Sequence, residues 1–129
     1  QQVNPKKIYS IDNGLSFNVS VSFSKDKGKM LENIVFLNLR KSFKEIFYFQ
    51  EKNECDFVLK KNNKIIKAIQ VCYNFNEENQ DREINGLISA LNEFKLKEGL
   101  ILTYDQEDEF FIENKKVIIK PVWKWLIGN

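Results

Sequence analysis

The chain has 129 residues, 43% of them hydrophobic, and a formal net charge of +2. That is core enough for one domain and too little for two, so residues 1–129 read as a single unit. Having no histidine, it excludes His-based zinc sites, Ser-His-Asp triads and Cys-His dyads, and so small a basic excess leaves any nucleic-acid binding to local lysine clusters.

The start, "QQVNPKKIYSIDNG", lacks a methionine and runs directly into a strand-like segment, which suggests excision from something longer. "KKIYSID" reads as a first strand closed by the turn signal Asp12-Asn13-Gly14. Residues 15 to 27 alternate like a strand in "LSFNVSVSF" but also fit the opening of a helix. A helix is predicted over 29–41, followed by a three-strand meander over 45–50, 55–60 and 64–73. Ile84, Leu87, Ile88 and Leu91 at helical spacing predict a second helix over 80–94. "GLILTYD" (99–105) is a continuous apolar run and predicts a fully buried strand. "EFFIENKKVIIKP" reads as a further hairpin, and Pro121 as the first residue of a terminal helix, "PVWKWLI". The order α-β-β-β-α-β predicts an α/β domain with a mixed central sheet flanked by helices. No apolar run approaches the roughly 18 residues of a membrane span, and the start does not resemble a secretion signal. Cys55 and Cys72 lack CxxC spacing and fit buried reduced thiols of a cytoplasmic protein.

Three polar residues interrupt otherwise apolar positions. On a helical wheel of about 100° per residue, Glu32 lies between Leu39 and Phe36. It fits either a dipole-favoured acid in the first turn or a carboxylate turned inward to the sheet. A three-residue loop of Asn62, Asn63 and Lys64 pairs Lys61 with Ile65 and sets Asp56 opposite Gln70, β-carbons about 5 Å apart. A two-residue loop would put them on opposite faces. In the first register Cys72 shares the face of Gln70. Asp56 and Gln70 fit simple hydrogen bonding to backbone. With an inward Glu32 they also fit a divalent-cation arrangement, since hard cations take oxygen ligands and keep waters that phosphates replace.

Asp56, the following hairpin and "IQV" at 69–71 resemble the PD-(D/E)XK nuclease superfamily, the restriction-endonuclease-like fold. More closely, "KKIYSIDNGL", "LENIVFLNLR", "CDFVL", "IQVCY", "REINGLISAL" and "PVWKWL" resemble the C-terminal domain of predicted prokaryotic AAA-type ATPases. Those proteins carry a P-loop ATPase and a winged helix first. No GxxxxGK[ST] occurs here, so the chain would be the nuclease-like domain alone. The resemblance implies Mg2+ (or Mn2+) held by Glu32, Asp56 and Gln70, with Gln70 at the acid of the ExK element. Cys72 stands where that element has its lysine, and a thiol supplies no cation. Arg82, opening the second helix, is the substitute cation the superfamily's variants suggest, and Lys60 is another.

Lys60, Lys61, Lys64 and Lys67 crowd one hairpin. They fit phosphate neutralisation on DNA, or a solvated tip that discourages edge pairing. The two tryptophans of "PVWKWL" point to different sides of a helix, so at least one belongs to the core. The expected functions are a metal-dependent DNA endonuclease domain, a non-cleaving module that binds DNA or regulates its ATPase partner, or an interaction domain without a nucleic-acid role.

Overall fold

A computed structural model describes residues 7–11 and 27–128. The expected turn at Asp12-Asn13-Gly14 and the ambiguous stretch up to residue 26 lie outside them. In chain order the elements are β1 (Ile8–Ser10), α1 (Lys27–Leu39), β2 (Glu45–Gln50), β3 (Glu54–Lys61), β4 (Lys64–Val71), α2 (Gln80–Phe94), β5 (Glu98–Thr103), β6 (Asp108–Ile112), β7 (Lys115–Pro121) and α3 (Val122–Ile127). The predicted α-β-β-β-α-β core is present as α1, β2, β3, β4, α2 and β5.

The strands form one seven-stranded sheet in the order β1-β2-β3-β4-β5-β7-β6. Its first four strands pair antiparallel, β5 lies parallel to both β4 and β7, and β6 closes the far edge antiparallel to β7. Parallel neighbours on both sides explain why β5 reads as an unbroken apolar run. Each face of the sheet has its own core. Leu87, Ile88 and Leu91 of α2 pack on Val58, Ala68 and Ile101, while Leu31, Val35 and Leu39 of α1 join Trp125 of α3 on Phe57, Ile69 and Leu102. Trp125 is thus core, while Trp123 is exposed. No described helix is long and apolar enough to cross a membrane.

The β3–β4 register reaches the expected offset by another route. Lys61 pairs with Lys64 across a two-residue turn, in which Asn62 and Asn63 both take positive φ, 52° and 66°. Side chains of that type tolerate this geometry. The step from Lys60↔Ile65 to Leu59↔Lys67 then leaves Ile66 as an extra residue on β4. That bulge restores the offset a three-residue loop would have given, so the ladder runs to Phe57↔Ile69, with Asp56 and Gln70 the next residues beyond it.

Pro121 corrects one expected boundary. It ends β7 paired with Thr103, with φ −66° and ψ 143°, and stands just before α3 instead of inside it. Its ring suits an extended residue as well as a first helical one, and the extended ψ places it in the strand.

Candidate functional site

Asp56 sits at a second irregularity. Phe47 pairs with Val58 and Phe49 with Cys55, so Tyr48 alone opposes two β3 residues, Asp56 and Phe57. The bulge breaks the alternation: Cys55 and Val58 both join the α2-side core, three residues apart. Beyond Phe57↔Ile69 the β3–β4 ladder stops, and backbone groups on both strands need other partners.

Two side chains supply them. The Asp56 Oδ2 accepts the Val71 N–H at 2.8 Å. The Gln70 Oε1 accepts the Asp56 N–H at 2.9 Å, and its Nε2 donates to the Glu54 carbonyl at 2.9 Å and to the Glu83 carbonyl, in the first turn of α2, at 3.0 Å. Gln70, only 2% exposed, therefore closes the fork between the strands and fastens α2 to β3. α2 approaches so closely that a Cβ at Gly86 would lie 1.9 Å from the Glu54 carbonyl oxygen.

Three carboxylates gather round this fork. Glu32 is half-buried on α1, and of the charges acting on Asp56 its own is the strongest. Burial, then Glu32, then Glu83 push the Asp56 pKa up to about 7. Burial raises Glu32 as well, partly offset by Lys29, and raises Glu83, offset by Arg82. Arg82 is largely exposed and reaches the Glu83 carboxylate at 3.3 Å, so it stands at the rim. Cys72 is buried on the Gln70 face, its thiol pushed up to about 11 by burial and by Glu83. Cys55 is buried too, and both thiols are free. A cleft of about 310 Å3 opens over Asp56 and Gln70 between the β2–β3 turn (Lys52, Asn53) and Arg82 and Glu83 of α2.

Glu83 is the residue the sequence reading missed. It precedes Gly86 by three positions and Leu87 by four, which puts it on the buried face of α2.

Asp56 and Gln70 are neighbours and the Glu32 charge acts on Asp56, but the three do not fit a divalent ion. Both polar atoms of the Gln70 amide are engaged with backbone, and turning its oxygen outward would strand the buried Asp56 N–H. Among the described residues no three Asp, Glu, Cys or His side chains stand close enough to hold a metal. Lys60 lies four residues from Asp56, roughly 13 Å along β3, and the bulge between them removes the shared face that simple alternation would give. On the hairpin, Lys61 and Lys64 face each other across the turn, and Lys61 lies over the Phe43 ring at 5.6 Å.

The carboxylates make stability depend on pH. The folded state holds the Asp56 proton more tightly than the unfolded chain, because its pKa rises from 3.8 to about 7. The stability this confers is full below about pH 4 and is lost as pH rises through about 7. Glu32 and Glu83 act in the same direction. Asp56→Asn keeps an acceptor for Val71, so its thermal midpoint should fall less than the wild type's between about pH 5 and pH 8. Parallel melting curves across that range would exclude a protonated Asp56.

The family described as "Domain of unknown function (DUF4143)" matches residues 27–125, which span α1 to α3. The chain is similar to "Uncharacterized protein MJ1544" of Methanocaldococcus jannaschii, with 41% identity over 134 residues. That alignment covers 95% of this chain and 30% of the relative, so the chain spans under a third of the relative's length. No solved structure matches.

Proposed function

The chain belongs to the DUF4143 family, and on that premise we propose that it is a restriction-endonuclease-like module that binds without cutting, as part of a longer AAA-type ATPase. The element order, the strand aspartate at a sheet fork and the helix acid whose charge acts on it support kinship with the PD-(D/E)XK superfamily. One observation carries the non-cleaving reading. Gln70, at the position of the ExK acid, has its amide fully engaged with backbone, and the residue two further on is a buried thiol.

Hydrolysis of a phosphodiester needs its developing negative charge met by preorganised positive groups, each worth about 10²- to 10³-fold in rate. Asp56 at this fork is instead an acid whose pKa burial, and then Glu32 and Glu83, push up to about 7. Arg82, the nearest candidate cation, is already paired with Glu83. The arrangement serves to lock β3, β4 and α2 together, and the module's work then falls to its surfaces. The test is incubation with linear and branched DNAs in Mg2+ or Mn2+. No nicking above the Asp56→Ala background is expected, and metal-dependent nicking lost in Asp56→Ala would overturn the reading.

DNA is one partner the surface suits, because Lys61 and Lys64 stand side by side at an exposed turn with no acid paired to them among the described residues. Binding through them would weaken steeply with salt and ignore sequence. In the same assays, Lys61→Gln with Lys64→Gln should lower the salt dependence of any DNA affinity. An unchanged slope would remove the hairpin from the interface.

A further inference from the structure

The two faces of the sheet are covered differently. α2 lies across one face, whereas α1 and α3 on the other leave between them a cleft of about 540 Å3. Its floor is strand surface, Ile69 of β4, Leu100 of β5 and Ile118 of β7, and its walls are Phe43, Trp125 and Leu126. Leu100, Ile118 and Leu126 are only half-buried, and Ile66 at the mouth is 37% exposed. Lys41, Lys67 and Lys120 line the same cleft against a single acid, Glu98. None of the three lysines has an ion-pair partner among the described residues.

An apolar sheet face ordinarily lies under a complete helix layer. Among the described residues the layer has a gap, and the gap has cations round it. A nucleic acid presents phosphate and sugar, which would meet the lysines but leave Leu100 and Ile118 without apolar cover. A helix with an apolar stripe flanked by Asp and Glu satisfies both. We propose that this cleft docks an acidic amphipathic helix of a partner domain, its stripe over Leu100 and Ile118 and its carboxylates toward Lys41, Lys67 and Lys120. The apolar floor supplies most of the affinity, since exposed ion pairs add little singly, and the lysines supply orientation and choice of partner. This docking is independent of whether the fork on the sheet can cut.

The probe is a synthetic helical peptide with leucines at i, i+4 and i+7 flanked by glutamates. A lysine-flanked version, a scrambled version and a short DNA duplex serve as comparisons. Fluorescence anisotropy should give the glutamate peptide an affinity at least about tenfold above either other peptide. Amide NMR shifts should concentrate on Leu100, Ile118 and Trp125. Lys67→Glu with Lys120→Glu should cut that binding about tenfold and turn the preference toward the lysine-flanked peptide. Lys67→Gln with Lys120→Gln, a milder change, should weaken the glutamate peptide without the reversal. Equal binding of the scrambled peptide, no binding, or shifts elsewhere would overturn the proposal. So would DNA moving the Leu100 and Ile118 resonances more strongly than the peptide, or self-association burying the cleft.

Discussion

Gln70→Leu should destabilise the domain by about 3–5 kcal/mol, a large part of the roughly 5–15 kcal/mol available to a domain of this size. The change leaves the Asp56 N–H and the Glu54 carbonyl without their Gln70 partner and removes the second bond to the Glu83 carbonyl, which keeps its helical one. Each buried group so stranded costs about 1–3 kcal/mol, reduced here where the cleft lets water in. Urea unfolding measures the loss. Gln70→Glu makes the argument sharper, because it installs the superfamily's acid. A carboxylate still accepts from Asp56 but faces two carbonyl oxygens and three acids, so its folded pKa is raised and only its protonated form can donate. The stability of that variant should be greatest below the ordinary glutamate pKa of about 4.3 and fall as pH rises through the raised value. At about pH 8 it should resemble Gln70→Leu, and at about pH 5 recover part of the loss. Wild-type stability at pH 8 together with tight Mn2+ binding would instead restore Gln70 to the role of ligand.

Gly86→Ala is expected to destabilise by about 3 kcal/mol, the upper end of ordinary overpacking. Alanine in a helix interior normally gains about 1 kcal/mol over glycine, so the sign itself is informative. At Gly86 the new methyl would stand 1.9 Å from the Glu54 oxygen, 2.9 Å from its carbonyl carbon and 2.6 Å from the Gln70 Nε2. Two of these are backbone atoms, and the third is bonded to backbone. Relief requires α2 to lift from β3, which breaks the Gln70–Glu83 link as well. Gly28→Ala, with nothing within 4 Å of the added carbon, should show no loss. Thermal melts of the two variants side by side check both. A stable Gly86→Ala would mean that α2 does not approach β3 this closely.

The elements themselves were legible because each follows a local rule: periodicity in α1 and α2, an unbroken apolar run in β5, asparagine turns in the hairpins. The neighbourhood of Asp56 and Gln70 was reached from a wrong loop, since a bulge at Ile66 replaced the third loop residue and the ladder ends one pair short of them. Nothing in "KNNKIIK" marks that bulge, because Ile65 and Ile66 are equally suited to pair. The wheel position of Glu32 left its direction open, and the same reasoning applied to Glu83 would have put it on the buried face of α2. The engagement of Gln70 was beyond reach. It depends on the ladder ending after Ile69 and on α2 arriving at the gap, and both are facts of three dimensions.

The division of the sheet bears on how the chain assembles. β2, β3 and β4 are joined by short turns, so their pairing closes small loops and belongs to the fast, local part of folding. β5 lies parallel to β4 and must wait for the crossover from residue 72 to residue 97 to fold back. Loop closure alone grows slowly with length, about 0.6 kcal/mol per doubling, but it comes before the contacts that compensate it. The fork at Asp56 belongs to the early meander, while its partner Glu83 arrives with the late crossover. Until α2 docks, the Glu54 carbonyl and the Gln70 amide remain open to water, and Asp56 lacks the Glu83 charge that adds to burial and to Glu32 in raising its pKa. Proton uptake at Asp56 is therefore coupled to the docking of two helices, α1 with Glu32 and α2 with Glu83, and the arrival of α2 is one of two pH-sensitive events in the formation of this domain.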